Sequence, residues 1–548
     1  MTERTISASV VAPRAAEADD AHALHGQGAL HFEQGDPSGA LELISAAIAA
    51  DPHQPEFHNN LGQVLATLGR AAEAKGAFCE AIRQRPNFPE AFRNLGNVLR
   101  ELGCFAEAEA SYAEALRLRP DFADAYCNLG VTLSMLGRFA EAETSFAEAL
   151  RLRPDLAEAH SNLGITLGLL GQFADAERCH VEALRLRPDI AEAHCNLGAA
   201  LLAQGRVRDA EQSFGTAVHL RPDLAAARYN LAEAHLLMGR FEEGWQEFEA
   251  RQYVKQFSGA VSAFPQPQWI GEPIGDRVIL LHAECGFGDT IQFCRFVPLV
   301  GRNAKVVLDV PGPLVRLLSW LDGIDELVIR GDPLPAFDVH CPLMSLPLAF
   351  GTSLDTIPAD IPYLSADPEL AAPWRERLAN IDGIRVGIAW AGGLRPGDQA
   401  FVATDRRRSI ALTALAPLAE VAGVNFFSLQ KGEPAAQALA PPPGMTVHDF
   451  TADLTDFADT AALIDCLDLV ISVDTAVAHL AGAMGKPVWL LNRFDTCWRW
   501  LLDRDDSPWY RTLRQFRQPA PGEWDRPIGA VRDALRRLAA GDRNQLVP

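Results

Sequence analysis

Residues 123–156 read ADAYCNLGVTLSMLGRFAEAETSFAEALRLRPDL, and near-copies of this 34-residue stretch recur along the first half of the chain. Prolines at 52, 86, 120, 154, 188 and 222 keep that interval, and so do glycines at 62, 96, 130, 164 and 198. A second set of glycines, at 35, 69, 103, 137, 171, 205 and 239, keeps the same beat. Self-similarity at a fixed period of this size marks a stacked-repeat fold. Each unit reads as two short amphipathic helices: Gly137 turns the chain after the first, Ala142 and Ala149 allow close packing, and Pro154 stops the second. A single unit has no way to bury its apolar face alone. About seven units over 21–254 are therefore expected to stack into an all-α superhelix with a concave groove.

The pattern N-L-G, then L-G-R-F-x-E-A, then F-x-E-A-L-x-L-R-P closely resembles the tetratricopeptide repeat. Asn60, Asn94, Asn128, Asn162, Asn196 and Asn230 fall at one position of the first helix in successive units. These amides either help neighbouring repeats pack or form a ladder along the groove, where donor and acceptor together suit a peptide backbone of any sequence. Repeat arrays attached to protein O-GlcNAc transferases use such a ladder to hold extended polypeptide, and that resemblance implies peptide binding here. The last unit departs from the rest: GRFEEGWQEFEARQYV (239–254) has Trp245 and Phe248 and no closing proline, and is read as a cap docking onto the second half of the chain.

Residues 1–20 are read as a disordered N-terminus with no apolar core of the signal-peptide kind, and no segment approaches 18 uninterrupted apolar residues. With 49 Lys+Arg against 71 Asp+Glu, the formal charge of −22 argues against nucleic acid or an anionic membrane surface as the main partner. A small basic pocket for a phosphate-bearing ligand remains compatible with it. The ten cysteines form no CxxC pair and no Cys/His metal spacing, and Cys127 and Cys195 share one repeat position, so they read as small packing residues. A cytoplasmic setting is expected.

After a Pro/Gly/Ser-containing linker (255–276) the period changes. RVILLHA, AKVVLDV and ELVIR, then RVGIAW, NFFSLQ, DLVISVD and PVWLL are short apolar runs separated mostly by helix-like segments, the pattern of parallel sheets with crossover helices. The reading is two Rossmann-like lobes, 277–365 and 384–515, joined through 366–383, with a C-terminal helix and tail over 516–548. The helix IGAVRDALRRLAA is expected to cross back over the cleft. Ligands of such folds bind outside the carboxyl ends of the strands, here the crevice between lobes.

One loop in each lobe has chemistry. HAECGFGDTIQF (282–293) follows the first strand with Gly286, Gly288 and Asp289, which alone reads as a capped strand-to-helix turn. LDLVISVDTAVAHLAGAMGKPVWLL (467–491) is strand, Asp474-Thr475 turn, helix and strand. Thr475 and the amides from Ala476 onward stand where a helix dipole favours an anion, and His479 follows one turn along. The plainer reading is that Asp474 or Thr475 only caps the helix and His479 packs inside. WRW (498–500) with SPWY reads as a packed aromatic wall, or else as a stacking face for base or sugar.

D-[ST]-x-x-x-H followed, after six intervening residues, by K/R-P, together with GFGD, is similar to motifs of heptosyltransferase-like glycosyltransferases of the GT-B fold. DRRRSI, SLQKG, DFADTAALI, WRWLLDR, DSPWY and FRQ resemble the branch in which tetratricopeptide repeats precede this module. The resemblance implies that Asp289 is the general base and that Asp474, Thr475 and His479 cradle the nucleotide diphosphate and adjoining sugar. It also implies a phosphate contact for Arg408, and places Lys431 and Glu433 near the nucleoside. Arg295 either reaches the cleft or pairs on the surface. Cys285, Phe287 and Asn492-Arg493 depart from the family's usual pattern near the cleft. No DxD pair is placed for a divalent metal, so no metal and no cofactor is expected, the nucleotide-sugar being a substrate.

The resulting expectation is a glycosyltransferase moving sugar from a nucleotide-sugar to a hydroxyl of a protein held by the repeats, flagellin or another surface protein being plausible. A glycan- or lipid-linked acceptor, or a non-catalytic scaffold that only binds nucleotide-sugar, are the alternatives. The repeats also offer a surface for self-association.

Overall fold

In the computed structural model, which describes residues 18–254, 264–393 and 399–548, the 34-residue period becomes fourteen paired helices, α1 (Ala18–Glu33) through α14 (Phe241–Phe248). Of the expected disordered tail over 1–20, residues 1–17 lie outside the described residues, as does the first part of the expected linker, 255–263, whereas residues 18–20 are not disordered but begin α1. Contacts group the chain into two bodies, Met1–Leu170 with Arg178–Pro188 and Gly171–Glu177 with Asp189–Pro548.

Two glycine positions explain the repeat. Gly137 and its counterparts adopt φ between +72° and +81°, a left-handed turn that ends the first helix of each pair. In the N-L-G position space is the constraint: a Cβ on Gly130 would lie 2.8 Å from the Phe146 ring, and one on Gly96 2.6 Å from Tyr112. Phe146 is fully buried between Ala142 and Ala149, also buried. Gly130→Ala is therefore expected to lower stability by about 1–3 kcal/mol through overpacking, despite alanine's better helix propensity. A thermal melt checks this, and an unchanged midpoint would contradict it.

The α/β part is built on two all-parallel sheets. The first contains β1 (Val278–His282), β2 (Lys305–Val310), β3 (Glu326–Ile329) and β4 (Val339–Pro342) in the order β3-β2-β1-β4, with helices α15 (Phe287–Phe293), α16 (Val297–Gly301), α17 (Gly312–Leu318) and α18 (Leu346–Ala349) between or after its strands. After α19 (Pro368–Leu378), the second contains β5 (Ile384–Ala389), β6 (Val424–Ser428), β7 (Val447–His448), β8 (Leu469–Val473), β9 (Val488–Asn492) and β10 (Leu513–Arg517), ordered β10-β9-β8-β5-β6-β7. Its helices are α20 (Gln399–Arg408), α21 (Phe457–Asp465), α22 (Ala476–Ala483) and α23 (Asp525–Ala539). β8 and β9 are buried along their whole length, as continuous apolar runs require of central parallel strands.

β4, β7 and β10 are not among the strands expected from the sequence: VHCP and VH are too short for a pattern, and LRQFR mixes charges into an edge strand. The terminal helix does not cross the cleft. Ile528, Val531, Ala534, Leu535 and Leu538 of α23 are buried in one core with Val386, Trp489 and Phe516 of the second sheet. Its apolar stripe fits that sheet's face, and the Trp489 indole donates to the Gln545 carbonyl to fix the tail beyond it. The second half of the expected linker is anchored too: the Trp269 backbone N–H donates to the His340 carbonyl at 2.7 Å, beside β4.

The last repeat docks onto the α/β part. The Trp245 indole donates to the Thr352 carbonyl at 2.9 Å and packs edge-on against Trp498 and Trp509, with Phe248 beside it. Below them Arg251, 1% exposed, bonds Glu284 at 2.9 Å, Glu249 at 2.6 Å and the Ser345 hydroxyl at 2.6 Å. Glu284 immediately precedes the GFGD segment by one residue, Cys285, so the repeat cap holds that loop's root.

Candidate functional site

Both sheets have a point where strand order reverses: between β1 and β4 in the first, and between β5 and β8 in the second. Crevices at the carboxyl ends of strands beside such points are where open α/β sheets hold ligands. The loop after β1 is GFGD; those after β5 and β8 are Ala391–Gly393 and Asp474-Thr475. All three line one cavity of about 490 Å3, with Arg408, His479, Arg493 and Arg499. The loops approach closely: a Cβ on Gly288 would stand 2.9 Å from the His479 ring and 3.4 Å from the Ala476 Cα. Gly288 is thus required by contact with α22.

Asp289 does cap its own turn. Gly286 N–H donates to its Oδ2 at 2.9 Å, while Arg499 donates to its Oδ1 at 2.5 Å. Arg499 is 9% exposed and also bonds Gln292 at 2.6 Å. Both oxygens of the residue expected to be the general base are therefore engaged. In the sequence, Arg499 stands out only as the middle of an aromatic wall. The wall itself is real: Trp498 and Trp500 are buried, and Trp500 stacks on His479.

Thr475 does not cap α22 with its side chain; its hydroxyl pairs with Ser472 at 2.9 Å. The plain capping reading is thereby replaced, and Thr475 and Ala476 face the cavity. His479 does pack inside. Its Nδ1 meets the Tyr510 hydroxyl at 2.9 Å, its Nε2 lies 3.9 Å from Asp474, and burial pushes its pKa down to about 4. Burial pushes the Asp474 carboxyl up, but Arg408, His479, Arg493 and Arg499 around it outweigh that and hold it below the usual carboxylate range. Because the unfolded imidazole binds its proton near 6.5, His479 makes the folded state lose stability as pH falls from about 6.5 towards 4. His479→Gln is expected to flatten that part of the stability–pH curve, and the acid limb should shrink in chemical denaturation run from about pH 7 to about pH 4.5.

The arginine triplet divides by helical position. Arg406 is exposed, Arg407 bonds Asp495 at 2.8 Å, and Arg408 reaches the cavity. Arg408 donates to the Asp474 carbonyl at 3.0 Å and is held by Asp405 through its Nε at 2.7 Å. Gly392 is required here, since a Cβ would meet both Asp405 and Arg408 at 2.6 Å. Lys431 and Glu433 are not brought to the cavity. Lys431 instead ties down the carbonyls of Thr451 and Leu454, and Glu433 is exposed at the start of a 3-10 turn. Among the described residues Arg295 neither lines the cavity nor pairs with an acid. It is buried, bonded to Gln292, Trp509 and Tyr363 and packed on the Tyr363 and Tyr510 rings. Cys285 borders the cavity, its thiol pushed up by burial, and Phe287 packs against Phe457.

Four of the ladder asparagines bond towards the preceding repeat: Asn60 to His25, Asn94 to Asn59, Asn128 to Asn97 and Asn230 to Cys195. Asn162 and Asn196 are half-buried. Two residues of α13 (Ala225–Leu237), Tyr229 and Glu233, line the cavity, although the sequence reading singles out neither. They also border an adjoining cavity of about 370 Å3 with Asn230, Arg407 and Phe494. The available signal is a break in the repeat: Glu233 stands where earlier units have Gln63, Asn97, Val131, Ile165 and Ala199. Among the described residues no group of three or more His, Cys, Asp or Glu side chains is arranged to hold a metal ion.

Two family models match parts of the chain. Residues 2–236 match the model of the cilia and flagella-associated protein 70 C-terminal domain, a tetratricopeptide-type region. Residues 430–491, which contain β8, the Asp474-Thr475 turn and α22, match glycosyltransferase family 9 (heptosyltransferase). The chain thus joins a tetratricopeptide-type repeat array to a GT-B-like α/β module carrying a family 9 segment. Protein FlbA of Caulobacter vibrioides is 27% identical over 320 residues, covering 53% of this chain and 52% of that protein. The chain therefore spans about half the length of this curated relative. Among solved structures, YrrB, described as a TPR protein with an unusual peptide-binding site, is 21% identical and covers 34% of this chain and 95% of its own (TM-score 0.30). A tetratricopeptide repeat protein from Parabacteroides merdae is 18% identical, covering 43% and 95% (TM-score 0.36).

Proposed function

We propose that this chain transfers a sugar from a nucleoside-diphosphate sugar to a hydroxyl of a polypeptide bound by its repeats. The observation that carries the reading is that the three switch-point loops and Arg408 border one cavity, with the family 9 segment supplying the α22 side. Amides at the start of α22 and the Arg408 guanidinium suit a departing diphosphate, through the helix dipole and a bidentate contact respectively. Such fixed donors stabilise leaving-group charge without a metal ion. Asp289, the base that the resemblance implies, is kept here as part of the transfer site together with its partner Arg499. Lys431 and Glu433, which the resemblance places near the nucleoside, do not line this cavity and are left out of the proposed site. No helix of the described residues is long and apolar enough to cross a membrane, and the acceptor is read as a protein such as a flagellin, met in the cytoplasm.

The repeats supply the acceptor side. Asn60, Asn94, Asn128 and Asn230 help join repeats, so the peptide-binding share of the ladder is best tested at Asn162 and Asn196. Replacing both by Ala should weaken transfer to protein while leaving hydrolysis of the donor by water unchanged, read with a labelled nucleotide-sugar. Equal loss of both activities would contradict a peptide-holding role.

A further inference from the structure

We propose that Tyr510 is a positioning residue: its hydroxyl donates to Nδ1 of His479, which leaves the one imidazole proton on Nε2 as a fixed neutral donor facing the cavity. That this donor meets the diphosphate or the adjoining sugar rests on the transfer reading; the tautomer itself does not. Tyr510 closes the DSPWY stretch and is fully buried. Helix α22 makes room for its ring at Gly482, where a Cβ would lie 2.7 Å from the ring. About one turn back along the same helix, the hydroxyl meets Nδ1 at 2.9 Å. Trp500 stacks on the imidazole with centroids 5.3 Å apart, and Tyr510 meets it edge-on, so the ring is held from two sides. Behind Tyr510 stands Arg295, its guanidinium 4.7 Å from the centre of the Tyr510 ring.

The neighbours decide where the proton sits. Burial, with Arg499 and Arg295, outweighs Asp474 and Asp289 and keeps the imidazole neutral, so two nitrogens share one proton. Nε2 lies 3.9 Å from Asp474 Oδ1, and a Cβ on Gly288 would stand 3.6 Å from it; both residues line the cavity. Asp474 is held in its charged form, and a carboxylate repels a nitrogen lone pair but attracts an N–H. Nδ1 is then the acceptor. Burial pushes the Tyr510 hydroxyl up, so it has the proton to give. The opposite tautomer would turn the Nε2 lone pair towards Asp474 and send the Tyr510 proton to Tyr363. The Tyr363 hydroxyl already takes a proton from Arg295 at 2.9 Å and gives its own to the Ile291 carbonyl at 3.0 Å.

The test is heteronuclear NMR of the full chain with labelled histidine, in which nitrogen shifts tell the two neutral tautomers apart; His479→Gln identifies the signal. Donor affinity is measured in parallel by calorimetry with UDP-, GDP-, dTDP- and ADP-activated sugars. Wild-type His479 should carry its proton on Nε2. Tyr510→Phe keeps the ring on α22 but removes the donor, and should bring in the Nδ1-protonated form and weaken donor binding by about 3- to 10-fold. Adding Tyr510→Phe to His479→Ala should cost no further affinity, because Tyr510 acts through the imidazole. A wild-type signal protonated on Nδ1 would overturn the assignment without any variant having to fold. So would a Tyr510→Phe protein with tautomer and affinity unchanged, or losses that simply add in the double variant. Wild-type protein that shows the Nε2 proton but binds no nucleotide-sugar would overturn the transfer reading instead.

Discussion

Replacing Arg408 by alanine is expected to lower sugar transfer by roughly 10²–10³-fold, the usual consequence of removing one fixed donor from developing negative charge. Arg408 borders the cavity between the β5 loop and the Asp474 carbonyl, with its side chain 28% exposed. It is thus held in place yet open to a ligand. Lysine at this position should recover only part of the rate, because an ammonium keeps the charge but loses the planar fork. One complication is structural. Asp405 is 4% exposed and would be left without its partner. Asp405→Asn with Arg408→Ala removes that buried charge, so the kinetic loss should persist in the pair while any drop in melting temperature shrinks. A double variant with wild-type kcat/KM would show that Arg408 does not meet the donor.

Arg251→Ala is expected to have the largest effect on stability, about 3–5 kcal/mol, because it leaves two carboxylates, Glu249 and Glu284, deprived of a buried cation. The guanidinium is buried, and three groups depend on it. Burial alone pushes the Glu284 carboxyl up, so removing its partner drives it further towards the neutral form. Glu284 adjoins Cys285 and the GFGD loop, and the same substitution should therefore loosen the candidate site. Differential scanning calorimetry checks the first point, where a loss of about 5 °C or more is expected for the body that contains the cap. Replacing the pair together, as Arg251→Met with Glu284→Leu, should recover much of the midpoint, since apolar side chains need no partner. If Arg251→Ala melts with the wild type, the repeat cap is not what steadies the loop.

The fold is readable where residues obey a period. Gly130, Ala142 and Pro154 announce a repeat because space, helix packing and backbone geometry each exclude most other residues there. The strands β1, β5, β8 and β9 are visible because central parallel strands are apolar throughout, whereas the four-residue β4 and the charge-bearing β10 carry no such signature. The destination of α23 is missed because an apolar stripe shows that a helix docks, not on which face of which sheet. In the candidate site, Asp289, Arg408 and the turn at Asp474 are reached through the family resemblance carried by GFGD, DRRRSI and DTAVAH; their local pattern alone reads as capped turns and a charge run. Lys431 and Glu433 do not line the cavity because Lys431 is committed to the Thr451 and Leu454 carbonyls and Glu433 is exposed at the start of a 3-10 turn, neither of which the local sequence announces. The pair Asp289–Arg499 joins positions 210 residues apart, and Glu233 comes from the repeat array rather than from either sheet. Neither relation leaves a mark on local sequence, except for the broken repeat at Ala232-Glu233.

The most direct measurement is intact-mass spectrometry of a candidate acceptor protein incubated with the purified chain and single nucleotide-sugars. Transfer requires a mass gain equal to one sugar residue on Ser- or Thr-containing acceptor, an equal amount of free nucleotide, and neither product with Arg408→Ala at the same enzyme concentration. Nucleotide release from no donor, with no mass gain on any acceptor, would contradict glycosyl transfer by this protein.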